Sequence, residues 1–287
     1  MQILQNVIQQ LQMQNQQLLA EYIKQCNCNV LQLSVNPINR GTVDLVYNLI
    51  NSPQFNSQRQ SIANKNDINV IIDSNGGDAD AAYHIAKMID QNFSGTIKYI
   101  IPRFSKSAAT LMVCGGDKIV MGETSELGPL DPQIQQTDGS YISAKSVAST
   151  LELIKTYLVG GKKEGLELAT ILSSRLNPLV LGQYESTMNV AQEYQKELLK
   201  LRMYKADIDG NNDKVDEIAV KFATGYTHHS RVITSKEAQT IFGADKVEIM
   251  AQNNAQWTTL WKMYQNNKAI ADIAGILPII NNRISKS

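Results

Sequence analysis

Residues 68–121 predict an α/β fold built on a mostly parallel sheet. Three short apolar runs rich in β-branched residues, "INVIIDS" (68–74), "GTIKYIIP" (95–102) and "DKIVMG" (117–122), read as buried strands. Two segments between them, "ADAAYHIAKMIDQNF" (79–93) and "SAATLMVCGG" (107–116), read as helices. Strand, helix, strand, helix, strand is the pattern of parallel strands joined by right-handed crossovers.

The elements follow in chain order. Residues 2–24 place Ile3, Val7, Ile8, Leu11, Leu18, Leu19 and Ile23 among glutamines, the spacing of an amphipathic helix. With so few charges, that helix suits a partner subunit or a peripheral membrane contact. "NVLQLSV" (29–35) is a strand and "TVDLVYNLINS" (42–52) a helix. The polar stretch 53–67 reads as a loop. In the central helix, Ala81, Ile85, Met88 and Ile89 share one face. Glycines close the helix after Ser107. Beyond residue 145 the chain is mostly helical. "TSKEAQTIFG" (234–243) is a short helix capped by Thr234 or Ser235, and "DKVEIM" (245–250) a last strand. The predicted organisation is an N-terminal amphipathic helix (1–28), a central domain (29–250) and a C-terminal helical tail (251–287).

Composition narrows the function. The chain has 287 residues, with 27 Lys+Arg balancing 27 Asp+Glu, so no global field draws it to nucleic acid or anionic lipid. Three cysteines make no disulfide framework, and Cys26-x-Cys28 lacks a second ligand pair for zinc. No metal or organic cofactor is implied. The N-terminus has no basic leader and no run of about 18 apolar residues occurs, so a cytoplasmic protein without a transmembrane segment is expected.

Chemistry concentrates at two strand ends. In parallel sheets ligands sit beyond the carboxyl ends of the strands. Gly76-Gly77 follows one strand and Ser107 the next. A serine hydroxyl needs a base to become a nucleophile, and its product oxyanion needs preorganised donors. The Ala108 N–H at the helix mouth is one candidate and the glycine turn offers a second. The competing reading is an N-cap serine beside an ordinary glycine turn. Asp78 is suited to cap the helix that follows. Cys114 and His84 read as structural.

"DSNGGDADAAYHIAKMI", "SKSAATLMVCGGDKIVMGETSELGPLDPQI" and "GYTHHSRVITSKEAQTIFG" together resemble the Clp-fold serine peptidases, most closely the serine dehydrogenase proteinase family, related to signal peptide peptidase A and the Clp protease proteolytic subunit. The resemblance covers about residues 29–250. It implies a Clp/crotonase-like fold of repeated β-β-α and βαβ units, and a homo-oligomeric ring. Ser107 falls at the nucleophile position, with Ala109 where the family more often has Gly. Ala108 and Gly77, beside Gly76, fall at the oxyanion-hole positions, with Asn75 in place of the frequent Pro. No histidine stands where the Clp subunits carry theirs. A Ser–Lys dyad instead points to Lys145, 38 residues after Ser107, in "DGSYISAKSVAST". Such a lysine acts as a base only if desolvation lowers its pKa. His228 and His229 are the competing or assisting bases. Lys106 is set aside because adjacent side chains diverge. The run 125–134 is expected to wall a groove along which a peptide could add as a strand. The implied activity is endopeptidase cleavage through an acyl-enzyme. A non-catalytic oligomeric scaffold and a crotonase-type acyl-CoA enzyme are the alternatives.

Overall fold

The computed structural model describes residues 2–130, 133–135, 141–160, 163–175, 178–205, 212–226 and 231–284; over 133–135, 141–145, 147–148, 163–164, 172–175, 178–185, 212 and 276–284 it describes the backbone alone. The first half of the chain alternates as α1 (Gln2–Cys26), β1 (Cys28–Ser34), α2 (Arg40–Ile50), α3 (Pro53–Ser61), β2 (Asn64–Asp73), α4 (Ala79–Asn92), β3 (Ile97–Ile101), β4 (Phe104–Ser105), α5 (Ala108–Val113), β5 (Lys118–Met121) and β6 (Glu126–Leu127). A hairpin, β7 (Gln133–Gln135) and β8 (Tyr141–Ser143), leads into α6 (Ala144–Gly160), α7 (Lys163–Arg175), α8 (Pro178–Leu201) and α9 (Asn212–Thr224). Then come β9 (Ile233–Thr234), α10 (Ser235–Phe242), β10 (Val247–Ile249) and α11 (Ala255–Ile284).

The main sheet has the order β1-β2-β3-β5-β10 with every pair parallel. Successive side chains on a strand point to opposite faces, and here each face has its own helical layer. Leu31, Leu33, Val70, Ile72, Tyr99, Ile101, Ile119 and Met121 join one core with residues of α2, α4, α5 and α8. Val30, Ile71, Ile100 and Val120 point the other way, against Tyr22 of α1 and Trp257, Leu260 and Met263 of α11. A second, small sheet of order β4-β6-β9 sits at the carboxyl ends of the main strands.

The terminal helices therefore form one layer of the molecule. Asn15 Nδ2 donates to Asn267 Oδ1 at 2.6 Å, and Gln25 Nε2 to Thr259 Oγ1 at 3.3 Å. Rising numbers on α1 meet falling numbers on α11, so the two run antiparallel. Leu18, Leu19 and Ile23 pack beside this core. Thus Leu18, Leu19 and Ile23 of the expected partner-facing stripe are used within the chain, while Ile3 at the start of α1 stays exposed.

Residues 53–61, expected as loop, are helical. Ser52 accepts the Phe55 N–H, Pro53 sits at the first helical position, and Phe55 is the one buried anchor. Pro at that position loses no intrahelical bond. The capping expectations hold: Asp78 accepts from the Asp80 and Ala81 amides, and Thr234 from the Glu237 amide. Among the described residues no helix is long and apolar enough to cross a membrane, and no cluster of three or more His, Cys, Asp or Glu could hold a metal ion.

Because α11 closes one face of the sheet, Leu260→Ala, at a fully buried position, should cost about 2–5 kcal/mol in chemical denaturation. Ile3→Ala, on the exposed first turn of α1, should lie within about 0.5 kcal/mol of the parent.

Candidate active site

Strands β2 and β3 deliver their carboxyl ends side by side. Ser74 bridges to Ser105, its N–H donating to the Phe104 carbonyl at 3.0 Å and its carbonyl accepting the Lys106 N–H at 3.0 Å. After β2 the chain turns through Gly76 (φ 104°) and Gly77 (φ 148°), conformations that suit glycine. Close packing forbids a side chain there as well. A Cβ on Gly76 would lie 2.8 Å from Ser107 Cβ and 3.1 Å from the Ala108 nitrogen. One on Gly77 would lie 2.2 Å from the Ile38 carbonyl oxygen. Ile38 grips the turn from behind: its N–H donates to the Gly76 carbonyl and its carbonyl accepts the Asp78 N–H, both at 2.9 Å.

Ser107 has φ 48° and ψ −121°, strained for a residue with a Cβ. Its side chain makes no capping hydrogen bond, so the N-cap reading of this serine does not hold. The strain is held by its neighbours. The Lys106 carbonyl accepts the Ala109 N–H at 2.9 Å and the Ser107 carbonyl the Leu111 N–H at 3.0 Å. Buried Thr110 donates its hydroxyl to the Ser105 carbonyl at 2.6 Å and accepts the Gly128 N–H at 3.2 Å. Two amides at this point, those of Gly77 and Ala108, have no acceptor among the described residues.

Ser107, Gly77 and Ala108 line one cleft of about 360 Å³. It is lined by apolar Leu111 and Leu130, by Val190 and Ala191 of α8, and by an acidic rim of Asp78 and Asp80. The rim is tied to α8: Tyr194 donates to Asp80 Oδ1 at 3.1 Å, and its ring stacks on Tyr83 with centroids 4.1 Å apart. Arg40 pairs with Asp80 at 3.0 Å, partly offsetting the rim's charge.

Lys106 is fully engaged. Its Nζ lies 2.8 Å from Glu126 Oε2 and donates to the Leu127 carbonyl at 3.1 Å. Arg103 holds the other Glu126 oxygen. Burial alone would raise the Glu126 pKa; Lys106 and Arg103 reverse that and hold it below the usual carboxylate range. Glu126 thereby fastens the residue preceding Ser107 to the second sheet. Asp73 is raised by burial, against the Phe104 N–H and Arg103 that favour its charged form.

The other expected site residues add no described side chain to this cleft. Lys145 is the second residue of α6, directly after the β7–β8 hairpin; its side chain lies outside the described residues. Helix α8, which lines the cleft, packs against both β7 and α6, the helix that carries Lys145. His228 and His229 fall outside the described residues. His84 is exposed on α4, and Cys114 is buried. The run 125–134 meets its expectation in part. Leu130 does wall the cleft. Yet the Gly128 amide is spent on Ser105 and Thr110, and the Leu130 amide on the Phe222 carbonyl at 3.1 Å, so neither is free to pair with an added strand.

Residues 7–155 match the family model described as ClpP-like SDH-type serine proteinase. The chain belongs to this family. The matched span takes in most of α1, the glycine turn, Ser107 and Lys145, and stops before His228 and His229. The chain is also similar to two proteins of Methanocaldococcus jannaschii, both uncharacterized. MJ1495 is 29% identical over 170 residues, 59% of this chain and 49% of that protein. MJ0137 is 41% identical over 69 residues, 24% of each. The chain thus spans about half or less of the curated relatives it matches. Among solved structures, 1510-N membrane-bound stomatin-specific protease is similar at 18% identity and a TM-score of 0.47, covering 79% of this chain and 80% of that one. The ClpP protease catalytic domain from Plasmodium falciparum is similar at 13% identity and a TM-score of 0.38, covering 82% and 90%.

Two outcomes follow for variants of this chain. Gly77→Ala should destabilise the protein by about 1–3 kcal/mol or more, whereas Gly160→Ala, where an added Cβ meets nothing, should not; thermal melts compare them. Glu126→Gln should lower stability at neutral pH, with the deficit shrinking as pH falls. The sign follows from the lowered pKa of Glu126: its contribution is present above the unfolded glutamate value and is lost as pH drops through the folded one. Denaturation midpoints at pH 7 and pH 4 measure the difference.

Proposed function

We propose that the protein is a serine endopeptidase in which Ser107 is the nucleophile, Gly77 and Ala108 form the oxyanion hole and Lys145 is the general base. The observation that carries this reading is Ser107, strained in its backbone and with no capping bond from its hydroxyl, in a cleft beside two amides that have no acceptor among the described residues. The Ser107 oxygen attacks a peptide carbonyl while neutral Lys145 takes its proton. The two amides donate to the developing oxyanion. The amine leaves with the proton returned by the lysine, and water, activated by the same base, releases the acyl group.

Lys145 is preferred to the histidines because it lies within the family-matched span and they do not. Its place in the first turn of α6 also favours a neutral amine, since the positive end of the helix dipole disfavours an ammonium. Lys106 is unsuited, its Nζ being engaged by Glu126 and the Leu127 carbonyl. The cleft's apolar lining of Leu111, Leu130, Val190 and Ala191 suits a small aliphatic side chain beside the scissile bond. We further propose homo-oligomerisation through the α6–α7 pair, where Leu153, Leu158, Val159 and Leu168 are exposed. Helix α8, by contrast, gives Leu198 and Leu199 to the core of its own chain.

A fluorophosphonate probe should label Ser107, and Ser107→Ala should abolish the label. Lys145→Ala should slow labelling by about 10²–10⁴-fold, while His228→Gln with His229→Gln should leave it within a few-fold. Labelling undiminished in Lys145→Ala but lost in the histidine variant would move the base to that pair. No labelling of the parent would remove the peptidase reading. Light scattering at micromolar concentration should give a mass above the 31.9 kDa of one chain.

A further inference from the structure

The corner between α1 and β1 brings two thiols together. Cys26 ends α1 and Cys28 begins β1, with only Asn27 between them. Asn27 has φ 51°, a left-handed turn that draws its two neighbours closer than the ~7 Å of an extended triplet. The turn is held from both sides. The Asn27 N–H donates to the Ile23 carbonyl at 2.8 Å, and its side-chain oxygen accepts the Ala63 N–H at 3.1 Å. A disulfide needs Cα atoms about 4.4–6.8 Å apart, and a left-handed residue between two cysteines favours that approach over an extended one.

The two thiols are chemically unequal. Cys26 is half-buried and Cys28 buried. Cys26 Sγ lies 3.6 Å from the Ile23 carbonyl and 3.9 Å from the Cys28 carbonyl. Cys26 Sγ approaches the Cys28 main chain, and each thiol shifts the other's acidity. Interaction with Cys28 pulls Cys26 down against opposing burial, while Cys26 and burial drive Cys28 up. Asn69, which donates to the Tyr22 hydroxyl at 3.0 Å, also favours the Cys26 thiolate. The third thiol contrasts with this pair. Cys114 is fully buried in the other layer, where burial pushes it up to about 12 despite a hydrogen bond from Gln195.

We propose that Cys26 and Cys28 are a hydroperoxide-reactive pair that closes to an intrachain disulfide, Cys26 attacking and Cys28 resolving. The Cys26 thiolate attacks one peroxide oxygen, the O–O bond breaks, and water leaves once the departing oxygen takes a proton. Cys26 is then a sulfenic acid. The Cys28 sulfur attacks the Cys26 sulfur, the S–O bond breaks, and hydroxide leaves with the Cys28 proton as a second water. Two thiols and one hydrogen peroxide give one disulfide and two waters, the peroxide being the oxidant. The pair lies on the sheet face covered by α1 and α11, whereas the cleft is lined by α5 and α8, so this proposal stands apart from the peptidase reading.

The test uses the full chain, reduced and then titrated with hydrogen peroxide. Remaining thiols are blocked with N-ethylmaleimide under denaturing conditions and the protein is digested with trypsin. Cleavage after Lys24 and Arg40 puts both cysteines on one peptide, residues 25–40. That peptide should appear unalkylated and lighter by two hydrogens, while Cys114 remains alkylated; loss of free Cys26 should outpace that of Cys114 by roughly tenfold or more. In Cys28→Ala, Cys26 should accumulate as a sulfenic acid trapped by dimedone. In Cys26→Ala, Cys28 should stay reduced. Oxidation of Cys26 to sulfinic acid with Cys28 still free in the parent, disulfides only between chains, or Cys114 reacting as fast would each overturn the proposal.

Discussion

The Gly76-Gly77 backbone is pressed between Ser107 on one side and Ile38 on the other, so closely that neither position accepts a Cβ. This contact sets where everything else in the cleft can be. It brings the end of β2 against the mouth of α5, although the two are about thirty residues apart in sequence. The parallel pairing of β2 with β3 makes the approach possible, since it sends both strand ends the same way. Ile38 fixes the turn by two backbone hydrogen bonds, and the Ser74 hydroxyl and Asn36 side chain accept the Gly76 and Asn75 amides, so the Gly77 amide is held in place from several sides. A donor held this way needs little reorganisation when charge develops in front of it.

Backbone strain at Ser107 is sustained by what surrounds it. Thr110, two backbone bonds at the mouth of α5 and the Lys106–Glu126–Arg103 network act on the Ser107 main chain and its neighbours and leave its hydroxyl without a partner among the described residues. The small β4-β6-β9 sheet is the anchor for that network. Its value lies in position, since it ties the "SELGP" run to the residue preceding Ser107. The same ion pairs take Lys106 out of contention as a base, which clarifies why a lysine so near the serine is unsuited to its chemistry.

Much of this was legible in the sequence, for identifiable reasons. The main strands are apolar on both faces because helices cover both, and that continuous pattern marks them as buried parallel strands. Gly76, Gly77 and Ser107 were legible because few residue types fit a left-handed turn or an exposed hydroxyl at a helix mouth. Helix α3 was not, since one apolar anchor in a polar stretch leaves no periodicity to read. Nor were β4, β6 and β9, whose two-residue lengths carry no alternation. The role of Glu126 depends on a meeting with Lys106 that no local pattern encodes. The antiparallel pairing of α1 with α11 spans nearly the whole chain, so the sequence showed an apolar stripe without showing what covers it.

The central claim is a convergence: the Ser107 oxygen and the Gly77 and Ala108 amides address one point. A crystal structure of the protein carrying a fluorophosphonate adduct tests it most directly. The account predicts a phosphorus–oxygen bond to Ser107 and a phosphoryl oxygen within about 2.7–3.1 Å of both amide nitrogens. An adduct on another residue, or a phosphoryl oxygen turned away from both amides, would contradict it.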